Sequence, residues 1–358
     1  MSVTVDHPTS RPAQGARLAY RRIVRRKRLL LGAMLAVCIA ACLADVFVGV
    51  SGMSPVHVLR VVFRPSEADP ADYVIVWSFR LPIAAMALLV GMSLAIAGAQ
   101  MQTVLDNPLA SPYTMGISAA AGFGAALAIV GGWAVLPFLG SYAVAANAFV
   151  FCVAACFVIL LVGHRLGASG DSLVLAGIAL MFTFQALLSL VQYRASPEAL
   201  QQVVFWLFGS LQRATWSKVL LVGGVLLVVA ALLAKDAWRL TALRLGDDRA
   251  AGLGINVVAL KWRTLVLISL LTAVAVSFVG TIGFVGLVGP HLARMLVGED
   301  QRYFVPMSAL CGATLLSTAS IASKVIVPGT VYPVGVVTSI IGLPFFISLI
   351  LSRRTARR

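Results

Sequence analysis

Residues 29–50 read LLLGAMLAVCIAACLADVFVGV, 22 positions in which Asp45 is the single residue among Asp, Glu, Lys, Arg and His. A helix rises about 1.5 Å per residue and the hydrocarbon core of a bilayer is about 30 Å thick, so a run of this length crosses it. Directly before it stand Arg21, Arg22, Arg25, Arg26, Lys27 and Arg28. Basic residues at one flank of a span hold that flank in the cytoplasm. Residues 1–28 are too long and too basic for the leading region of a cleaved signal, so the run is read as an uncleaved first span behind a cytoplasmic tail.

The remainder of the chain repeats this pattern. Its 358 residues are 60% hydrophobic and 11% charged, with a mean hydropathy of +0.97. Soluble helices need a polar face toward water, and runs such as 219–234 have none. A membrane barrel would show short segments of alternating polarity instead of continuous runs. The fold class expected is therefore an all-α polytopic membrane protein. Spans fall near 29–50, 82–104, 113–132, 141–162, 172–192, 216–234, 264–282, 286–296, 304–323 and 333–351. The eighth is too short to cross as a free helix and has to be packed inside the bundle, because irregular backbone cannot face lipid. About ten spans, an even number, put both termini on one side. This gives a basic tail over 1–28, a transmembrane domain over 29–352 with a cytoplasmic loop at 235–263, and a second basic tail over 353–358.

The formal charge of +15 would in a soluble protein suggest nucleic acid. Its placement points elsewhere. The two tails and the 163–171, 235–263 and 294–303 loops hold 21 of the 28 Lys and Arg residues, and the opposite side holds 7. That asymmetry makes both termini cytoplasmic and leaves no nucleic-acid partner to explain. Cys38 and Cys42, like Cys152 and Cys156, are spaced four apart with no histidine or carboxylate beside them. They are read as small buried hydrophobes, and no metal site is expected. Stretches rich in small residues, Gly91–Gly98 and Ile117–Ala126, are packing seams, since small side chains let helices approach closely in lipid.

Three segments carry more than packing. Asp106-Asn-Pro-Leu-Ala-Ser-Pro112 interrupts two spans with two prolines and must be a turn; taken alone it is an ordinary helix connection. Leu240–Gly254 mixes Leu240, Leu243 and Leu245, close to one face, with Arg244, Asp247, Asp248 and Arg249, and is broken by Gly246, Gly252 and Gly254. It suits docking to a soluble partner and equally a solvated loop on the membrane surface. Gly283–Arg294 packs closely and then breaks at Pro290. A lone His291 beside Arg294 reads as a hydrogen-bonded structural residue, no second metal ligand being spaced from it.

Arg80-Leu-Pro82, Gly98-Ala-Gln-Met-Gln102, Asn107-Pro-Leu-Ala-Ser-Pro112, Leu245–Ala250 with Leu253-Gly254, Phe284–Arg294, and Pro333–Thr338 with Gly342–Phe346 occur in one order and spacing. Together they resemble the FecCD-type permeases of iron-siderophore, haem and cobalamin ABC importers, from about residue 77 onward. The resemblance implies a ten-helix subunit of the bacterial inner membrane that pairs with an identical or homologous permease. It also implies two cytoplasmic ATPases and an outer substrate-binding protein as partners. The chain has no G-x-x-x-x-G-K-[ST] phosphate loop, so it is expected to be no enzyme and to bind no cofactor, ATP and Mg sitting on the ATPase. By the same resemblance, Arg244, Leu245, Gly246, Asp247, Arg249, Ala250, Leu253 and Gly254 engage the ATPase, and Asn107 and Leu109 form a cytoplasmic gate. Pro108, Pro112, Gly286, Pro290, His291, Arg294, Pro333 and Gly335 are structural motif positions.

Arg80 and Lys324 match basic residues that meet the binding protein at the outer mouth. Three departures fall near that mouth: Ile83 where an Arg often follows Arg-Leu-Pro, Ala319-Ser-Ile-Ala-Ser-Lys324 in place of an Ala-Asp-x-x-x-Arg pattern, and Val331 in place of a Glu. Arg60 and Arg64 are the candidates to compensate. The expected cargo is a ferric siderophore, with haem, cobalamin or another metal complex as alternatives. An ion-coupled transporter would need ionisable groups within its spans, and Asp45 is the main one. An enzyme is disfavoured by four scattered histidines, 7, 57, 164 and 291, that form no cluster.

Overall fold

The structure is a computed structural model that describes residues 11–166, 170–327 and 329–355. The first ten residues of the expected N-terminal tail, with His7, lie outside the described residues. So do residues 167–169, the last three of the C-terminal tail, and the side chains of His164, Phe345 and Phe346.

The first span is α1 (Arg11–Phe47), longer than its apolar run because the basic segment continues the helix. The short α2 (Pro55–Phe63) follows, then α3 (Pro70–Tyr73) and α4 (Leu81–Val104), joined without a break through a π-helical stretch, Val74–Arg80. Pro82 explains the widening. Its ring would clash with the carbonyl four residues back, and the π-helical path, with Leu81 N donating to Val76 O, avoids this. Next come α5 (Ile117–Gly131), α6 (Ala143–Leu166), α7 (Gly170–Tyr193), α8 (Pro197–Leu207) and α9 (Trp216–Lys235). Two short helices, α10 (Ala237–Leu243) and α11 (Asp247–Gly252), lead into α12 (Val257–Val279), α13 (Val285–Val297), α14 (Gln301–Val325) and α15 (Val334–Thr355).

Among the described residues, seven helices are long and apolar enough to cross a membrane, and three shorter apolar helices, α5, α13 and the first half of α15, complete the set expected from the sequence. The helix α4 forms the centre, buried on nearly every side. Its small residues are where its neighbours cross. A β-carbon added to Gly98 would overlap the Gly286 carbonyl of α13, and one added to Gly91 would lie 2.5 Å from the Gly312 carbonyl of α14. Close backbone approach of this kind gains dispersion contacts that lipid cannot supply.

The helix α13 is only 13 residues long, about 20 Å, so the chain breaks at membrane depth between α12 and α13. The break is covered by protein. Ser210 N donates to Val279 O at 2.7 Å, the Thr281 hydroxyl donates to Leu207 O, and Gly335 at the start of α15 lies against the Phe208 and Thr281 carbonyls. The helix α8, which the hydropathy pattern does not mark, thus delivers the backbone partners that the broken segment needs. It starts where Ser196 caps Ala199 N and Pro197 occupies the first turn, both strong initiating signals.

Candidate functional site

The charged loops converge at one end of the bundle. Arg244, just after α10, donates to Glu299 through two nitrogens, at 2.6 and 3.1 Å, and to Asp106 at 2.5 Å. Asp106 begins the turn after α4, and Glu299 lies between α13 and α14. A guanidinium presents a planar fork that matches a carboxylate bidentately, so this contact fixes orientation as well as distance. Glu299 is shared with Arg294 of α13 at 3.0 Å, and Arg294 in turn donates to Gln102 of α4 at 2.8 Å.

Beneath this cluster sits a buried amide set. Gln301 Nε2 donates to Thr103 at 3.1 Å, Gln100 donates to Gln301 Oε1 at 2.9 Å, and Gln301 N donates to Thr241 of α10 at 3.1 Å. One side chain and its own amide therefore tie α4, α10 and α14 together. Buried polar groups persist only when bonded to one another, so the elements share one register. At the start of α14, Asp300 accepts from Arg302 at 3.0 and 2.9 Å. Burial pushes the Asp300 carboxyl up, but the bonds and charge of Arg302 outweigh it and hold the group below its ordinary value.

The loop itself has two faces. Leu240, Leu243 and Ala250 are buried, while Leu245 and Leu253 are 56% and 54% exposed. Leu245 thus departs from the single apolar face expected of it, because the backbone turns after Arg244 into Gly246, whose φ of +102° starts α11 in a region reserved for glycine. Arg249 is exposed beside them, Gly254 has a φ of +79°, and Asp247 holds Lys261 of α12 at 2.6 Å. Asp236, almost fully buried, pairs with Arg239 and Arg263 and clamps the loop to the helix ends. In the neighbouring turn Asn107 Oδ1 accepts from Leu109 N at 2.9 Å, Pro108 is half-buried, and Leu109 is exposed. Pro112, Gly286, Pro290 and Gly335 are buried, and Pro333, His291 and Arg294 are partly so.

The opposite end is organised around the C-terminus of α1. A helix leaves its last four carbonyls without helical partners. Here all four are met: Ala44 O by Val48 N at 2.9 Å, Asp45 O by Lys324 Nζ at 2.9 Å, and Val46 O and Phe47 O by Arg80 Nη1 at 3.1 and 2.9 Å. Arg80 also donates to Ser51 at 2.6 Å, and Lys324 pairs with the Asp45 carboxylate at 2.7 Å. Arg80 is 5% exposed, and the Lys324 and Asp45 side chains are 5% and 0% exposed. In this structure both cations are turned inward onto α1. Arg60 and Arg64 are exposed on α2 and its cap, Arg64 in a loose pair with Glu67 at 3.3 Å.

The FecCD transport family profile matches residues 35–352, nearly the whole chain. The chain belongs to the FecCD transport family. It is 36% identical over 331 residues to the hemin transport system permease protein HmuU of Yersinia pestis, covering 92% of this chain and 97% of that one. It is 36% identical over 329 residues to the vitamin B12 import system permease protein BtuC of Vibrio cholerae, covering 91% and 94%. Among solved structures it superposes with a TM-score of 0.79 at 29% identity on "an inward-facing conformation of a putative metal-chelate type ABC transporter", covering 91% of this chain and 99% of the other. As a FecCD permease the chain is a membrane-embedded transport subunit. Of the residues that complete the Arg244 cluster, Glu299 and Gln301 belong to no motif the sequence offered, and Asp106 and Thr241 stood in the turn and loop segments without a role of their own. Their only signal is that each is a polar residue at a helix end.

Proposed function

We propose that this chain is the permease subunit of an ATP-driven importer in a bacterial inner membrane, with both termini cytoplasmic. Its cargo is a metal chelate, a ferric siderophore first, with haem or cobalamin behind it. The named substrates of the relatives, hemin and vitamin B12, support that class. Two permeases, two cytoplasmic ATPases carrying ATP and Mg, and an outer binding protein make up the working assembly. The observation that carries the reading is Arg244. It joins an exposed loop, with Leu245, Arg249 and Leu253 outward, to the turn of Asn107 and Leu109 and to the α13–α14 junction. A force applied at that loop reaches the turn and two central helices through one guanidinium. Outside, the exposed Arg60 and Arg64 are the cations assigned to a binding protein, Arg80 and Lys324 being held against α1.

The test is copurification of the ATPase on the tagged chain, with Gly246→Leu as the variant. Any side chain at a φ of +102° is strained by about 1–3 kcal/mol, so the loop must move. The expected result is normal membrane insertion with ATP hydrolysis uncoupled from uptake. Full uptake by Gly246→Leu, or absence of any ATPase in the purified parent, overturns the reading.

A further inference from the structure

On the outer side of the bundle, α6, α9 and α12 leave a crevice with two different lobes. The upper lobe, about 310 Å³, is lined by Arg213, Lys218, Ser217, Thr215, Ser141 and Tyr142. The lower lobe, about 590 Å³, is lined by Phe149 of α6, Leu221 and Val225 of α9, and Leu270 and Val274 of α12. Tyr142, Ser217, Lys218 and Phe278 border both, so the two lobes are continuous.

The chain directions make the lower lobe a groove running into the membrane. From the outer end, the chain descends from Tyr142 through the start of α6 to Phe149, α9 from Lys218 to Val225, and α12, running the other way, from Phe278 to Leu270. Seven residues of helix correspond to about 10 Å of depth. The mouth lies at the level of Tyr142 and Trp216, both exposed; amphipathic aromatic rings of this kind sit at the headgroup layer.

The charge at the mouth is one-sided. Lys218 Nζ donates to Arg213 O at 2.7 Å, which leaves two of its three donors for another group. The Arg213 guanidinium forms no hydrogen bond or ion pair among the described residues, and partial burial draws it below its ordinary value with no anion to offset the loss of water. Glu198 lines the adjoining hollow with Arg213 but makes no ion pair with it. Two cations above an apolar groove match one kind of occupant.

We propose that this crevice binds an anionic phospholipid of the outer leaflet, its phosphate between Arg213 and Lys218 and an acyl chain along Phe149, Leu221, Val225 and Val274. A zwitterionic lipid fits the groove but carries no net charge to match the cations. The site lies on the bundle flank formed by α6, α9 and α12, away from the Arg244 cluster.

The test uses the full chain purified in non-ionic detergent and titrated with dioleoyl phosphatidylglycerol or dioleoyl phosphatidylcholine, with retained lipid counted by native mass spectrometry. The parent is expected to retain phosphatidylglycerol in preference to phosphatidylcholine. Removing each cation, as Arg213→Gln or Lys218→Gln, lowers phosphatidylglycerol retention by about fivefold, and Lys218→Arg keeps it. Phosphatidylcholine retention stays unchanged in the charge variants. Val225→Trp fills the groove and lowers retention of both lipids. If the Arg213→Gln/Lys218→Gln double variant is not monodisperse, either single variant supplies the same comparison. Equal phosphatidylglycerol retention by the parent and the charge variants overturns the proposal. So does a loss of chelate uptake in the charge variants with lipid retention intact, which would assign the cations to cargo.

Discussion

Removing the Lys324 ammonium isolates the Asp45 carboxylate in a place where water cannot reach it. The carboxylate is fully buried and accepts from Lys324 Nζ at 2.7 Å. Lys324→Met also frees the Asp45 carbonyl that caps α1. Breaking one side of a buried pair destabilises by about 3–5 kcal/mol, because the remaining charge stays desolvated without compensation. Replacing both partners with apolar residues of similar size removes that penalty and is expected to be close to neutral. Asp45→Leu with Lys324→Met should therefore recover most of the loss, leaving the double variant far more stable than the sum of the two single changes predicts. The assay is a double-mutant cycle by reversible unfolding in mixed micelles, followed by circular dichroism. A loss under about 1 kcal/mol for Lys324→Met, or simple additivity of the two single changes, would show that the pair behaves as an exposed surface pair and not as a buried one. It would also return Lys324 to the set of cations free to meet a binding protein.

Two further outcomes follow from the same geometry. Gly98→Leu places a side chain into the Gly286 carbonyl, so α4 and α13 must separate; the variant should lose folded yield in detergent by size-exclusion profile, while Gly224→Leu, which meets open space, should not. Arg244→Met cuts the loop from Asp106 and Glu299 while leaving Leu245 and Leu253 exposed. It should keep ATPase binding in a pull-down yet lower uptake per ATP hydrolysed, and equal coupling ratios would show that force does not pass through this residue.

The spans were legible because lipid imposes a length and a composition on each of them, as 29–50 illustrates. The short eighth span was legible for the complementary reason: 13 residues cannot cross alone, and burial was the only place for it. The helix α8 was hidden because its 11 residues mix polar and apolar positions, although Ser196-Pro197-Glu198 carried the initiating signal. The gap at Arg80 and Lys324 is of a different kind. A basic residue near a span end can snorkel outward, meet a partner or turn inward, and the choice depends on a partner distant in the chain. For Lys324 that partner is 279 positions away. Asp45, noticed as the exception among apolar spans, was the other half of the answer. In the Arg244 cluster the glycines and prolines announced the turns, whereas Arg244 found its carboxylates only through the three-dimensional meeting of three loops.

Uptake of a radiolabelled ferric siderophore into proteoliposomes holding the purified complex, with ATP sealed inside or left out, tests ATP-driven import of a metal chelate. Accumulation is expected to require the binding protein outside and ATP inside, and to fall in the Arg244→Met complex. Accumulation of the chelate without ATP, driven by a proton or sodium gradient alone, would contradict it.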